Sequence, residues 1–347
     1  MPWSPSRLLR PATLLALPLL VLPLALPGAD LGRPGVRLSE GRPPHRDYTE
    51  TLPGSKVRFD MVAIPGDTFV MGSRPGENGR RPDEGPRHAV TVRPFWMGKL
   101  EVTWDEFDLY CKGRPPGQWQ NEVALAKDPD AVTRPSPPYV DETWGFGREG
   151  YPVVGISHHA AMEYCHWLSK KTGKAYRLPT EAEWEWACRA GSSGAYFFGD
   201  DSRKLAEYAW FAGNSEESTH PVGKKKANPW GLHDIYGNVA EWCLDHYQKD
   251  HYDTFPVGRL SLTAVKLPTA KRYSHVVRGG SWDDPAARCR SAARQGSDRR
   301  WNRKDPDRPQ SIWWLTDGDF VGFRVVRAVE EQESLKELRS KVTKESE

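Results

Sequence analysis

Apolar and polar positions along the chain alternate in short runs, with helical spacing confined to a few segments. Val57–Ile64 and Thr68–Met71 read as strands split by the turn dipeptide Pro65-Gly66, and Ala89–Val92 and Phe95–Met97 as two more. Thr103 is placed to cap a short helix. Tyr151–Ile156 is an apolar run that predicts a strand, followed by Ser157 as N-cap. Ala161, Tyr164, Cys165 and Leu168 then share a helix face up to Gly173, the expected C-cap. Thr180 with Glu183 three residues on forms a capping box, behind which Trp184, Ala187 and Cys188 fall on one face. Val276–Val277 and Gly322–Val326 read as buried strands. Between these elements lie the polar stretch Gly72–Arg87 and a Pro/Gly-rich segment, 112–148, expected as a long surface loop. Residues 56–328 form the expected globular domain, 30–55 a linker, and 329–347 a charged tail with an exposed helix through Leu335, Leu338 and Val342. No internal repeat and no alternating βαβ pattern is present, so a parallel sheet is not indicated.

Composition narrows the class. Glycine and proline number 31 and 30 of 347 residues, too many breakers for a coiled coil or helical bundle. Fifteen tryptophans, 12 tyrosines and 11 phenylalanines exclude a disordered chain. Forty-nine basic against 46 acidic residues leave +3, which argues against a nucleic-acid partner. Arg7 and Arg10 precede an apolar run, Ala12–Leu26, interrupted by Pro18 and Pro23 and followed by Ala29. Residues 1–29 therefore read as a signal peptide, and the protein as exported to a periplasmic or extracellular space with at most peripheral membrane contact. Cys111, Cys165, Cys188, Cys243 and Cys289 are odd in number and contain no CxxC pair, so a ribbon-type zinc site is not expected. Cys188 and Cys289 are the expected disulfide.

Seven segments carry a family likeness in a fixed order: YPVVGIS (151–157), RLPTEAEWEWACRAG (177–191), HPVG (220–223), NPWGLHDIYGNVAEW (228–242), VVRGGSW (276–282), CRSAAR (289–294) and VGFRVVR (321–327). They resemble the sulfatase-modifying-factor family, whose founding activity is formylglycine generation, over about residues 56–328. The resemblance implies an α+β fold, a compact, loop-rich variant of the C-type-lectin-like architecture. It also implies a sulfatase or other protein as substrate. Family members that generate formylglycine hold copper between two thiolates placed after a GGS motif. Counted from Ser281, those positions are Asp284 and Cys289, so one thiol is a carboxylate and copper is not expected. Phe320 also stands where those enzymes have asparagine. Ser281 and Arg294 match active-site positions of the family and, with Cys289, are the candidate catalytic residues. Each has a structural alternative: Ser281 in a tight turn after Gly279-Gly280, Arg294 in an ion pair. The family's iron-dependent sulfoxide synthases need a histidine-rich N-terminal bundle; His158, His159 and His166 have no acid to complete a facial triad, and iron is not expected.

The resemblance implies a calcium ion held by the side chains of Asp234 and Glu241 and the carbonyls of Gly237 and Val239, oxygen ligands of the kind calcium takes. Residues 295–321 form an insertion in which Arg299, Arg300, Arg303, Lys304 and Arg308 accompany Trp301, Trp313 and Trp314. Charge pairing and ring stacking there would suit an acidic glycan; a solvated loop pinned by its tryptophans is the alternative. Two functions stay open: a formylglycine-generating-type oxidase with an incomplete copper site, or a non-catalytic, calcium-stabilised, lectin-like binding or structural module of the cell envelope.

Overall fold

In a computed structural model of the chain, residues 45–112, 141, 143–255, 260–261, 265–306 and 310–346 are described. The signal-peptide reading, most of the 112–148 loop and Arg308 lie outside them. Three small sheets and three helices are wound together by long connections, an α+β, loop-rich arrangement.

The first sheet has the order β1 (Tyr48–Thr51), β2 (Arg58–Ile64), β5 (Phe95–Gly98), β11 (Val326–Ala328), all antiparallel. Tyr48 pairs with Met61, and Met97 is flanked by Val62 and Val326. The 30–55 stretch expected as linker thus supplies an edge strand of the fold. In the second sheet β3 (Asp67–Met71) pairs antiparallel with β4 (His88–Val92), and β7 (Leu260–Ser261) adds in parallel. The third has the order β10 (Val321–Gly322), β6 (Ala240–His246), β8 (His275–Arg278), β9 (Arg294–Gly296). Its β10–β6 pair is parallel, so short parallel pairings occur without a βαβ unit.

Helix α1 (Trp104–Lys112) starts behind Thr103, whose backbone N–H and hydroxyl both donate to Glu106 Oε1. In α2 (His158–Thr172) the Ser157 hydroxyl accepts from the Ala160 N–H at 3.0 Å, and Gly173 ends the helix at φ 70°. Helix α3 (Glu181–Arg189) carries the capping box: Thr180 Oγ1 accepts from Glu183 N at 3.2 Å while Glu183 Oε2 accepts from Thr180 N at 2.8 Å. Two apolar clusters flank the helices, one around α1 and α2 with Trp104, Phe107, Tyr164, Trp242 and Phe323, the other around α3 with Trp184, Trp186 and Tyr236.

Three expected elements differ. The expected strand Gly322–Val326 is split, β10 ending at Gly322 beside β6 and β11 beginning at Val326 beside β5, with the buried Arg324 between them turned onto Glu241. Tyr151–Ile156 makes only isolated bridges, Thr103 with Pro152 and Ile156 with Trp314. Pro152 has no N–H to give a ladder, and Gly155 turns away at φ 68° with the Trp144 ring against it. The tail is no exposed helix. It forms one 3-10 turn, Glu333–Leu335, and sinks Leu335 and Val342 into the α2 cluster as an extended strap.

Candidate functional site

The GGS turn leaves β8 through Gly279 and Gly280, both at positive φ (93° and 70°). A Cβ on Gly280 would lie 2.7 Å from Cys289 Sγ, so the turn is seated directly over that thiol. Ser281 is buried, and its N–H and hydroxyl both donate to Asp284 Oδ2 at 3.0 Å. Arg288 lies 3.8 Å from the other oxygen of Asp284. Burial raises the Asp284 carboxyl above its ordinary range despite these partners. Cys289 is fully enclosed; burial, then the Asp284 charge, pushes its thiol far above the usual range. Ser281 therefore closes a turn, its N–H and hydroxyl both committed to the Asp284 carboxyl.

Arg294 is brought not to this turn but to α3. Its guanidinium donates to both oxygens of Glu181, at 2.7 and 2.8 Å, between the rings of Tyr247 and Tyr252. Neighbouring arginines do the same work. Arg278 pairs with Glu185 and donates to the Ser291 and Ala292 carbonyls, and Arg290 is held by Glu84 and Glu77. All are buried, so the CRSAAR segment is a structural anchor of charge-assisted hydrogen bonds. The glutamates completing it were not singled out in the sequence: Glu181 and Glu185 stand on α3, and Glu77 and Glu84 in the polar stretch Gly72–Arg87. Beside them burial, then Glu181, raises the Asp245 carboxyl to about 7.

Cys188 and Cys289 are not bonded to each other; each is a free, buried thiol. The Cys188 thiol lies against the Tyr236 hydroxyl and Ser291, whereas Cys289 faces Gly280. The expected disulfide is corrected on that ground.

The loop 234–241 is held by backbone shape. Asp234 and Asn238 take φ 52°, and Gly237 takes φ 72° where a Cβ would come within 2.0 Å of the Trp210 carbonyl. Asp234 Oδ2 accepts from Gly223 N at 2.6 Å, while its buried Oδ1 has no partner. Glu241 is engaged by Arg324 at 2.6 and 2.7 Å and by Trp184 Nε1 at 2.8 Å. Glu101, unremarked in the sequence, joins the loop by accepting from Asn238 Nδ2 and Val239 N. Burial, then Asp234 and Glu241, raises its carboxyl well above the ordinary range. Asp234 is raised too, by burial. The fit to a calcium ion is thus divided: an unpartnered carboxylate oxygen suits it, whereas Glu241 already neutralises Arg324. Among the described residues no group of three or more His, Cys, Asp or Glu is gathered as a metal cage.

The histidines of α2 diverge. His158 stacks on His275 with ring centroids 3.8 Å apart and bonds the Cys243 carbonyl, His159 bonds Ser340, and His166 accepts from Arg339. In the 295–321 insertion Trp301 packs on Trp242 and Phe320, Trp313 on His159, and Trp314 on Trp104. Trp301 and Trp313 are buried, which corrects the expectation that they offer stacking faces to a glycan; they pin the loop. Arg299, Arg300, Arg303 and Lys304 remain exposed.

The ordered segments, the α+β fold and the GGS turn over Cys289 agree with a family match: the model of the sulfatase-modifying factor enzyme 1-like domain covers residues 49–329. The chain belongs to the sulfatase-modifying factor enzyme 1-like family. It is similar to the serine/threonine-protein kinase pkn1 of Chlamydia caviae, 35% identical over 64% of this chain, the match spanning 33% of that protein. It is likewise similar to the formylglycine-generating enzyme of Mycobacterium tuberculosis, 31% identical over 64% of this chain and 86% of that one. The solved structure of PvdO from Pseudomonas aeruginosa has a TM-score of 0.55 at 31% identity, covering 78% of this chain and 94% of PvdO. The chain thus spans about a third of the kinase relative and most of the other two. No helix among the described residues is long and apolar enough to cross a membrane.

Proposed function

We propose that this chain is an exported, non-oxidase member of the family that uses the scaffold as a binding or structural module for a protein partner. The observation that carries this reading is Cys289. It is the one thiol near the GGS turn, enclosed beneath Gly280 and held protonated by burial. Its would-be companion, Asp284, is a carboxylate engaged by Ser281 and Arg288. Copper(I) favours soft thiolates, and this pair does not supply two of them, so no step is derived through copper. The similarity to a protein named formylglycine-generating enzyme supports a protein as partner, sulfatases first. The test is incubation of the purified chain with copper(I) and a peptide carrying Cys-x-Pro-x-Arg. Aldehyde is expected only at the level of the protein-free control; enzyme-like formation overturns the reading.

The same module is stabilised by calcium in this proposal. Asp234 Oδ1 and the carbonyls of Gly237 and Val239 would hold the ion, with Glu241 sharing a lone pair beside Arg324. The ion supplies positive charge beside Glu101 and Asp234, whose burial as anions is unfavourable. At a calcium concentration of about 100 times Kd, binding adds about 2.7 kcal/mol. A domain of roughly 300 residues unfolds with about 0.6 kcal/mol/K, so Tm should rise by about 4 °C. An unchanged Tm together with no calcium in the purified protein sinks the calcium reading and leaves the first one standing.

A further inference from the structure

Beyond Ala328 the C-terminal strap joins no strand ladder among the described residues, so side chains hold it to the body. Leu335 and Val342 are buried and Leu338 packs beside them. A groove of about 660 Å3 nevertheless remains between the strap and α2, lined by Met162, Leu178 and Leu244. An interface with such a gap forgoes part of its dispersion contact, which leaves more of the closure to polar fastenings. Four of these stand out. Glu331 pairs with Arg177 at 2.8 Å, and the Lys344 carbonyl accepts from Arg272 at 2.8 Å. The Ser340 hydroxyl bonds Nδ1 of His159 at 2.7 Å. Arg339 engages Glu163 and His166 together.

The last of these is conditional on protonation state. Arg339 Nε donates to Glu163 Oε1 at 3.1 Å, Nη2 donates to Oε2, and Nη1 donates to Nε2 of His166 at 2.9 Å. Glu163 and His166 are three residues apart on α2, so one guanidinium grips two neighbours on the same helix face. A guanidinium has donors only, and the bond therefore requires a lone pair on Nε2 of a neutral imidazole. Protonation would set N–H against N–H and a second cation beside Arg339. The imidazolium would also compete with Arg339 for the Glu163 carboxylate. The charges acting on the ring are Arg339 from the strap and Lys170 and Glu163 from α2 itself. Lys174, Glu331, Lys336 and Glu337 border the same groove. Burial, then Arg339 and Lys170, lowers the His166 pKa, with Glu163 opposing them. The ring is only half-buried and open to solvent protons. His159 is lowered by burial to about 4, so its bond to Ser340 is unaffected in the range where His166 titrates.

We propose that Arg339, Glu163 and His166 form an acid-sensitive latch on the C-terminal strap, in which protonation of His166 frees Arg339 and shifts the strap toward an open form that bares the groove. An imidazole whose pKa is lowered in the closed form binds its proton better once the strap has opened. Closure is therefore full above the free histidine value of about 6.5 and weakens as pH falls below it. The lost bond changes the open population by about two- to tenfold, the range of a single net hydrogen bond. Leu335 and Val342 still draw the strap back, so the response is a population shift and not a release. The latch lies apart from the oxidase question, since its fastenings involve none of Ser281, Asp284 and Cys289.

Limited digestion of the whole chain with proteinase K at about pH 7.5 and pH 5.5 tests this, with cleavage inside 332–346 followed by mass spectrometry. Cleavage of a segment that opens and closes rapidly tracks its open population. Each rate is divided by that of a free peptide of residues 329–347 at the same pH, which cancels the protease's own pH dependence. The normalised rate of the parent should rise about two- to tenfold on acidification. His166→Gln keeps an acceptor for Arg339 without titrating and should stay slow at both pH values. His166→Lys carries a permanent charge and should be cleaved at pH 7.5 about as fast as the parent at pH 5.5. The proposal is overturned by a parent rate equal at the two pH values, by a rise undiminished in His166→Gln, or by His166→Lys as slow as the parent at pH 7.5. Tm is measured alongside: His166→Gln should match the parent at each pH, and a cleavage difference mirrored by a Tm difference assigns the effect to global stability and overturns the latch.

Discussion

Replacing Arg324 by Met removes the buried guanidinium that pairs with a cluster of three carboxyls, Glu101, Asp234 and Glu241. Arg324 donates to both oxygens of Glu241, at 2.6 and 2.7 Å, and to the carbonyls of Gly98 and His233. Its charge also lowers the pKa of Glu101 and Asp234, both of which burial holds above their ordinary values. Removing one partner of a buried ion pair costs about 3–5 kcal/mol, because the other charge is left without compensation. With an unfolding entropy of about 2.1 cal/mol/K per residue over roughly 300 residues, that is a Tm loss of about 5–8 °C. The pH dependence gives the sharper test. A carboxyl whose folded pKa is raised binds its proton better in the folded state, so its stability contribution is full below the unfolded value of about 4 and declines as pH rises. Without Arg324 the pKa values of Glu101 and Asp234 rise further, and the deficit should therefore grow between about pH 5 and pH 7.5. Adding Glu241→Gln to Arg324→Met should recover part of the loss, since it removes the orphaned charge. Melting by calorimetry in a calcium chelator, at both pH values, reads all of this. A Tm within about 1 °C of the parent, or a deficit equal at the two pH values, refutes the reasoning.

Two further outcomes follow from other parts of the molecule. Burial lowers the pKa of His158, followed by the stacked His275, and burial lowers His275 to about 4. A histidine lowered in the folded state costs stability as pH falls from its unfolded value of about 6.5 towards the folded one. Tm should therefore drop on acidification through that window, and His275→Gln should flatten the drop; an unchanged slope refutes the assignment. Leu335→Ala removes a buried anchor of the strap and should cost about 2–3 kcal/mol, roughly 3–5 °C in Tm. An unchanged Tm in calorimetry refutes the anchoring role.

What the sequence made legible was local, and the reason is range. Ser157, Gly173 and the Thr180–Glu183 box act within one helical turn, so their residue types announce the helix ends wherever the rest of the chain goes. Strand β6 escaped because its first six residues are all buried, which removes the alternation by which a half-buried strand is recognised. Tyr151–Ile156 failed in the other direction: it is apolar because it lies in the core, but Pro152 and Gly155 deny it a ladder. The site shows the same division. The family positions of Ser281, Cys289 and Arg294 could be counted from their motifs, and the GGS turn does sit over Cys289. The partner that determines the role of Arg294 is Glu181, 113 residues earlier, and the partner of Glu241 is Arg324, 83 residues later. Opposite charges that far apart have no periodicity or spacing to betray their pairing, so an arginine matching an active-site position and an arginine anchoring a helix look alike until the fold brings in the acid. Both oxygens of Glu181 are taken up by Arg294, and a guanidinium so engaged is spent on holding β9 against α3 rather than free to meet a substrate.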